Sequence, residues 1–409
     1  MTIHPCRRGA RAPGLSRAGL AALALALLVP ALLAGCGGGS SSSLAANQMR
    51  VVVEPDPDLG GVHSPANAPN MLYASVVVCD DSDHCVTVPY VQVDTGSTGL
   101  RLRYKALRGL DLQPVVSASG AQMDACSNFA QGYIWGSIEQ ATVQLGGEPA
   151  VQMPVQVYGS GGPAPAVPAP CASFGNNIGS LAASWSNGIL GVDAIRSAGA
   201  AYFACQASSC TFVSSVNASF QIVNPVALLG DGDDNGVILS LPAIPAGGAP
   251  MARGTLTFGL DTHADNLTAG FQAMSADAYA AIDMSAQGLD YPQTVLDSGS
   301  NYDYLPFNLP YDSATLAYTP STLQNVPITL RNAPGTLPDV SVSSSVALIN
   351  AFDVAGSSND AFDDIGSYVP SSSSAILGLP YLFGRSVAYG ISGTSSALGT
   401  GPLIAVLGP

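Results

Sequence analysis

The sequence predicts an all-β protein, and three observations predict it. Forty-five glycines and 30 prolines stand among 409 residues, with a single lysine, Lys105. Such a composition supplies many turns and few of the straight-chain residues that favour helices. Short β-branched and aromatic runs alternate with clusters of Gly, Pro, Asn and Asp, while no long amphipathic helical period is present. Apolar residues make up 47% and charged residues 10%, a balance that excludes disorder as the dominant state. The length allows two lobes with a core each.

The first residues read as an address. Arg7, Arg8, Arg11 and Arg17 precede an uncharged apolar run, Ala18 to Leu33, which ends in Leu33-Ala34-Gly35-Cys36. This pattern resembles a bacterial lipobox, so residues 1–35 are expected to be a signal peptide and Cys36 the lipidated first residue of the mature chain. A transmembrane anchor is the competing reading, because the run approaches spanning length. Gly37 to Gly39 and Ser40 to Ser43 make a flexible tether, taken as 36–49. Gly37 after the cysteine resembles the signal for outer-membrane delivery. The expected location is therefore the bacterial cell envelope, with a membrane contact through lipid. Removing the four leader arginines leaves nine basic residues facing 28 acidic ones. That surface repels phosphate backbones, which argues against nucleic acid as a partner.

Apart from Cys6 and Cys36, six cysteines remain: Cys79, Cys85, Cys126, Cys171, Cys205 and Cys210. An even number suits three disulfides in an oxidising compartment. Spacing leaves connectivity open, but pairing the close neighbours Cys79 with Cys85 and Cys205 with Cys210 would leave Cys126 with Cys171. A metal centre is not expected, since of the four histidines only His84 lies near any of these six cysteines, without a Cys-x-x-Cys partner.

The body reads as hairpins. Leu72 to Cys79 and Cys85 to Asp94 are strands around the polar turn 80–84. Ala141 to Leu145 and Val151 to Val157 flank Gly146-Gly147, and Val237 to Leu239 and Leu256 to Gly259 are further short strands. Pro245 to Pro250, enclosing Gly247-Gly248, reads as punctuation between lobes at 50–245 and 246–409. Asp231 to Gly236 imitates the start of a calcium loop, but Pro242 occupies the position of the bidentate Glu, so a solvated hairpin turn is expected.

Two motifs recur in order. Val93-Asp94-Thr95-Gly96-Ser97 has its counterpart in Leu296-Asp297-Ser298-Gly299-Ser300, and Asn187-Gly188-Ile189-Leu190-Gly191 in Ala375-Ile376-Leu377-Gly378. Ile189 follows Asp94 by 95 residues, and Ile376 follows Asp297 by 79. Either motif alone is an ordinary turn or a buried strand. The ordered pair, once per half, resembles the pepsin-like aspartic peptidases over roughly residues 70 to 409. The chain also resembles a bacterial family of lipoproteins of about this length with no assigned function.

The peptidase resemblance implies a bilobal fold with a pseudo-twofold and a cleft between two β lobes. Asp94 and Asp297 would form the catalytic dyad, sharing one proton because two adjacent carboxylates do not both ionise cheaply. Thr95 and Ser298 would cross-bond the two loops, Ser97 and Ser300 would hold the outer carboxylate oxygens, and Gly96 and Gly299 would allow close approach. Water would attack directly, so no cofactor is called for. The partner would be an extended polypeptide, and the protein a monomer. Arg101 stands where the family usually carries Trp. Gly132-Tyr133-Ile134-Trp135-Gly136 stands at the family's flap, so either Tyr133 caps the cleft and Trp135 stacks on Arg101, or both aromatics belong to the surface or core of the hairpin. A membrane-tethered aspartic endopeptidase is the leading expectation. The alternative is a catalytically inactive binding or structural lipoprotein in the same fold.

Overall fold

The computed structural model describes residues 44–55, 59, 68–179, 185–197, 199–206, 209–336 and 340–408. The expected signal peptide, Cys36 and the tether up to residue 43 lie outside the described residues.

The protein is all-β, and among the described residues the two α-helices are four residues each, Ala169–Ala172 and Leu379–Leu382. Strand Leu72–Cys79 pairs antiparallel with Cys85–Asp94, with Cys79 opposite Cys85 and a disulfide joining them. Its alternation buries Val76 and Val78 and turns Ser75 outward, the period-two pattern of a strand with one covered face. Strand Gly132–Leu145 pairs with Gln122–Phe129 on one side and Val151–Tyr158 on the other. Cys205 faces Cys210 across the hairpin of Ala201–Gln206 and Ser209–Val213, and is bonded to it. The third disulfide ties Cys126 of strand Gln122–Phe129 to Cys171 of the short helix. All three disulfides therefore follow the pairing that cysteine spacing suggested.

These strands belong to a 17-stranded sheet, which also takes in four strands from beyond residue 246: Ala252–Phe258, Gln272–Ser275, Ser386–Gly390 and Leu403–Leu407. Strand Gly236–Ser240 pairs with Ala252–Phe258, so a hairpin spans the Pro245 to Pro250 punctuation. Gln48–Val53 joins the sheet against Ala252–Phe258, with Val51 and Val53 fully buried. A separate seven-stranded sheet holds Ile282–Ala286, Leu289–Leu296, Asp303–Leu305, Gln324–Arg331, Ser341–Leu348, Gly366–Tyr368 and Ser374–Leu377.

One arrangement occurs in both sheets. Gly188–Val192 runs parallel to Cys85–Asp94 and antiparallel to Thr98–Arg103. Likewise Ser374–Leu377 runs parallel to Leu289–Leu296 and bridges antiparallel to Asp303–Leu305 through Ile376 and Tyr304. In each case the Ile-Leu-Gly strand inserts between the two strands that an Asp loop connects. The glycines make this possible. A Cβ on Gly191 would lie 2.7 Å from the Ser97 carbonyl oxygen, and one on Gly378 would lie 2.2 Å from that of Tyr302. The leucines, Leu190 and Leu377, are fully buried beneath.

Candidate functional site

Asp94 ends its strand and Asp297 immediately follows its own. The Gly96 N–H donates to Asp94 Oδ1 at 2.9 Å, and the Ser97 hydroxyl to Oδ2 at 2.6 Å. The second loop repeats this: Gly299 N–H to Asp297 Oδ1 at 2.7 Å, and the Ser300 hydroxyl to Oδ2 at 2.6 Å. Each carboxylate is thus held by one backbone and one hydroxyl donor within its own loop, which aims it without help from a distant side chain.

The loops face each other. A Cβ on Gly96 would come within 2.5 Å of Asp297 Cγ, and one on Gly299 within 2.7 Å of Asp94 Cγ. Both positions require glycine because the opposite carboxylate fills the space a side chain would take. Thr95 N–H donates to Ser298 Oγ, Ser298 N–H to Thr95 Oγ1, and the Ser298 hydroxyl passes on to the Val93 carbonyl. Gln92 adds a bond from its amide to the Gly299 carbonyl at 2.9 Å. All eight residues named from the two Asp motifs are therefore brought together.

Burial, followed by the charge of Asp94, pushes the Asp297 carboxyl well above the usual carboxylate range. Its own loop donors oppose that shift without reversing it. Two more carboxyls stand behind the loops. Asp193, pushed up to about 7 by burial, accepts from the Thr98 hydroxyl and the Ile195 N–H. Asp303, pushed up to about 8 by burial, accepts from the Gly378 N–H at 2.7 Å.

Both carboxylates line a cavity of about 560 Å³. Its walls are mainly apolar: Ile189 and Ile376 of the recurring strands, Val295, Met71 and Trp185. The turn between strands Gln122–Phe129 and Gly132–Leu145 reaches over it with Phe129, Ala130 and Gln131.

That turn corrects the expected flap. Tyr133 does not cap the cavity, and Trp135 does not stack on Arg101. Both aromatics point to one face of their strand, where they pack with Cys126, Cys171 and Phe203. Trp135 meets Phe203 edge-on at 5.4 Å and donates its indole N–H to the Pro165 carbonyl. The missing side chain of Gly132 admits the Asn176 carbonyl oxygen, 2.0 Å from where a Cβ would sit. Arg101, 3% exposed, instead lies under Phe129, its guanidinium carbon 5.2 Å from the ring centroid. The cation–π pair therefore exists with a different aromatic. Its partner was hidden because strand alternation carries residues 133 and 135 away from the cleft.

Tyr389 is a further contributor that the motifs did not disclose. Its hydroxyl lies 3.1 Å from Thr95 Oγ1 and donates to the Leu296 carbonyl. The Asp231 to Gly236 turn also departs from expectation. Asp233 is 2% exposed and not solvated, because Thr262 and His263 bond to its carboxylate at 2.6 and 3.0 Å. Among the described residues no group of three or more His, Cys, Asp or Glu could hold a metal ion.

The arrangement is one of paired, hydroxyl-supported carboxylates at the floor of an apolar cleft in an all-β protein. A family model described as "Protein of unknown function (DUF3443)" matches residues 43–406, and the chain belongs to that family. No curated protein matches it.

Proposed function

We propose that the protein is an aspartic-type endopeptidase with a bilobal pepsin-like fold, acting on extended polypeptide in the cleft between the two Asp loops. The observation that carries this reading is the reciprocal fit of each loop's glycine to the other loop's carboxylate. Two carboxyls held so close share a proton. Asp297, pushed up by burial and by the neighbouring Asp94, keeps it and donates to the scissile carbonyl oxygen. Asp94 takes a proton from a water lying between the two acids, and that water attacks the carbonyl carbon. The resulting diol collapses as Asp94 passes its acquired proton to the leaving nitrogen, the C–N bond breaks and a diol hydroxyl returns a proton to Asp297, so no covalent enzyme intermediate forms. The apolar cleft walls suit apolar side chains on either side of the cleaved bond.

We also propose that the mature chain is lipid-anchored through Cys36 in a bacterial cell envelope, a reading supported by the basic leader, the lipobox-like residues and the Gly/Ser tract. Among the described residues no helix is long and apolar enough to cross a membrane.

One observation favours a second reading. The turn over the cleft presents Phe129, whose ring has no hydroxyl to reach a substrate. A cleft that binds polypeptide without cutting it is consistent with that. Proteolysis of an unfolded protein by the full-length chain in detergent decides between them, scanned from acid to neutral pH with and without a statine-type inhibitor. Cleavage that the inhibitor blocks, and that Asp94→Asn and Asp297→Asn each abolish, supports the peptidase. Saturable peptide binding without cleavage from folded protein supports the binder.

A further inference from the structure

The Leu377–Gly378 peptide unit is held at both of its polar ends. Its carbonyl oxygen, on Leu377, accepts the Asp297 N–H at 2.9 Å. Its N–H, on Gly378, donates to Oδ1 of Asp303 at 2.7 Å. One residue further on, the Leu379 N–H donates to the Ser300 carbonyl at 2.8 Å. One short segment thus grips the second Asp loop at Asp297 and at Ser300, and a side chain anchors that segment from behind.

The two Asp loops differ at this point. Beside the first, Gly188–Val192 pairs with Thr98–Arg103 over five residues, and Gly191 sits inside that ladder, opposite Gly99. Beside the second, the corresponding ladder is a single pair, Tyr304 with Ile376, and Gly378 falls beyond it. The Gly378 N–H therefore takes its acceptor from a side chain, because a buried N–H left without one has no water to replace it. Asp303 serves that purpose as a neutral acid. It is fully buried, its Oδ2 has no hydrogen-bond partner, and among the described residues it forms no ion pair. Arg385, whose charge reaches it, gives its guanidinium to the Tyr381 and Phe383 carbonyls instead. Burial pushes the Asp303 carboxyl up to about 8, so at neutral pH and below it offers a fixed acceptor and not a charge.

We propose that Asp303 is a positioning residue for the dyad: its Oδ1 fixes the Leu377–Gly378 peptide, and that peptide fixes Asp297 against Asp94. What the position requires is the acceptor oxygen. The effect on turnover rests on the peptidase reading, whereas the coupling of Asp303 to Asp297 does not. Asp297 reaches its partner loop only from a backbone held in place, and a displacement of about 1 Å at a reacting group lowers a rate by up to roughly a hundredfold.

Two variants of the full-length chain in detergent test this beside the wild type. Asp303→Asn keeps an oxygen for the Gly378 N–H and puts an amide where the protonated acid carries its O–H, while Asp303→Leu removes the acceptor at similar volume. With active sites counted by a statine-type inhibitor, the Leu variant should lose roughly ten- to a hundredfold in kcat with KM within about twofold, and the Asn variant should stay within about threefold of wild type in both. Hydrogen exchange read at single amides gives a second measure. The Asp297 N–H should exchange at least roughly tenfold faster in the Leu variant and at the wild-type rate in the Asn variant. In the wild type itself, the Asp297 and Gly378 N–H groups should be protected to within about tenfold of each other, since they open together. That comparison needs neither variant to fold. If the wild type cleaves nothing, the peptidase reading fails and the exchange rates alone decide the coupling. A kcat in the Asn variant as low as in the Leu variant, unchanged Asp297 exchange in a folded Leu variant, or a protected Gly378 N–H beside a freely exchanging Asp297 N–H overturns the proposal.

Discussion

Thr95 and Ser298, 203 residues apart, satisfy each other: the Thr95 N–H donates to Ser298 Oγ at 3.1 Å and the Ser298 N–H to Thr95 Oγ1 at 2.9 Å. Both residues are buried, so neither backbone N–H has water as a substitute. The exchange locks the two Asp loops in one relative position, and it does so with the shortest hydroxyl side chains available. Ser298→Ala strands the Thr95 N–H and the donor-seeking Val93 carbonyl. A stability loss of about 1–3 kcal/mol is expected for an orphaned buried group, read as a lower urea midpoint. An unchanged midpoint would show that the exchange contributes nothing.

Removing one acid of the dyad should separate activity from stability. Asp297→Asn deletes a carboxyl that burial and Asp94 both disfavour as an anion, yet keeps one oxygen for the Gly299 N–H while its amide NH2 replaces Oδ2 and donates to the Ser300 hydroxyl instead of accepting from it. The variant is expected to lose cleavage completely while melting at or above the wild-type temperature at neutral pH. A fall of many degrees in melting temperature would mean that the charge itself holds the loops.

Stability should decline as pH rises from about 4 to 8. Asp124, Glu148 and Asp193 are pushed up to about 7, and Asp303 to about 8, in each case chiefly by burial. An acid whose folded pKa is raised binds more protons folded than unfolded between the two values, so folding weakens through that window as pH increases. The lowered acids, Asp80, Asp261 and Asp312, act in the opposite sense, their contribution being lost as pH falls through and below the ordinary carboxylate range. Denaturant midpoints across this range provide the measurement. Asp303→Asn should flatten the upper part of the curve, and a slope of the other sign would refute the assignment.

Arg101 offers a cleaner case of positioning. Its guanidinium is buried under Phe129, with Nε unpartnered and Nη1 bonded to the Gly99 carbonyl. Burying a guanidinium with an unpaired Nε carries a desolvation cost that an apolar chain of similar volume does not. Arg101→Met should therefore keep or raise the melting temperature, while releasing the turn at Phe129 and raising KM for peptide. Unchanged KM would remove Arg101 from any role at the cleft.

The disulfides should differ in weight. Cys126 and Cys171 close a loop of 45 residues, whereas Cys79 and Cys85 close one of 6. On a chain-entropy account the first contributes about 4 kcal/mol and the second about 2 kcal/mol. Paired Cys→Ser substitutions measured in urea should give that order. The larger loss also removes the support of the Tyr133 and Trp135 cluster.

Much of the site was legible from the chain because its parts are local. Each Asp is held by donors two and three residues further on, so the Asp-x-Gly-Ser order already contains the contacts. The disulfide hairpins were legible for the same reason, since a pair five or six residues apart can only staple a turn. The flap residues were misplaced because Gly132-Tyr133-Ile134-Trp135-Gly136 resembles the family's Tyr-Gly-x-Gly, whereas both glycines make room for neighbouring backbone, at Asn176 and Val157 respectively. Glycine spacing alone does not tell a moving turn from a crowded strand.

What the sequence by itself determined is the all-β class, the two carboxylate loops and the hydroxyls that aim them, because strand alternation and turn chemistry act over a few residues. Tertiary structure alone decided that Gly96 faces Asp297 and Gly299 faces Asp94, that Phe129 covers Arg101, and that Tyr389 braces Thr95. Those relations join residues with no local signature. Their partners are selected by which strands share a sheet and which side chains then compete for the same buried space.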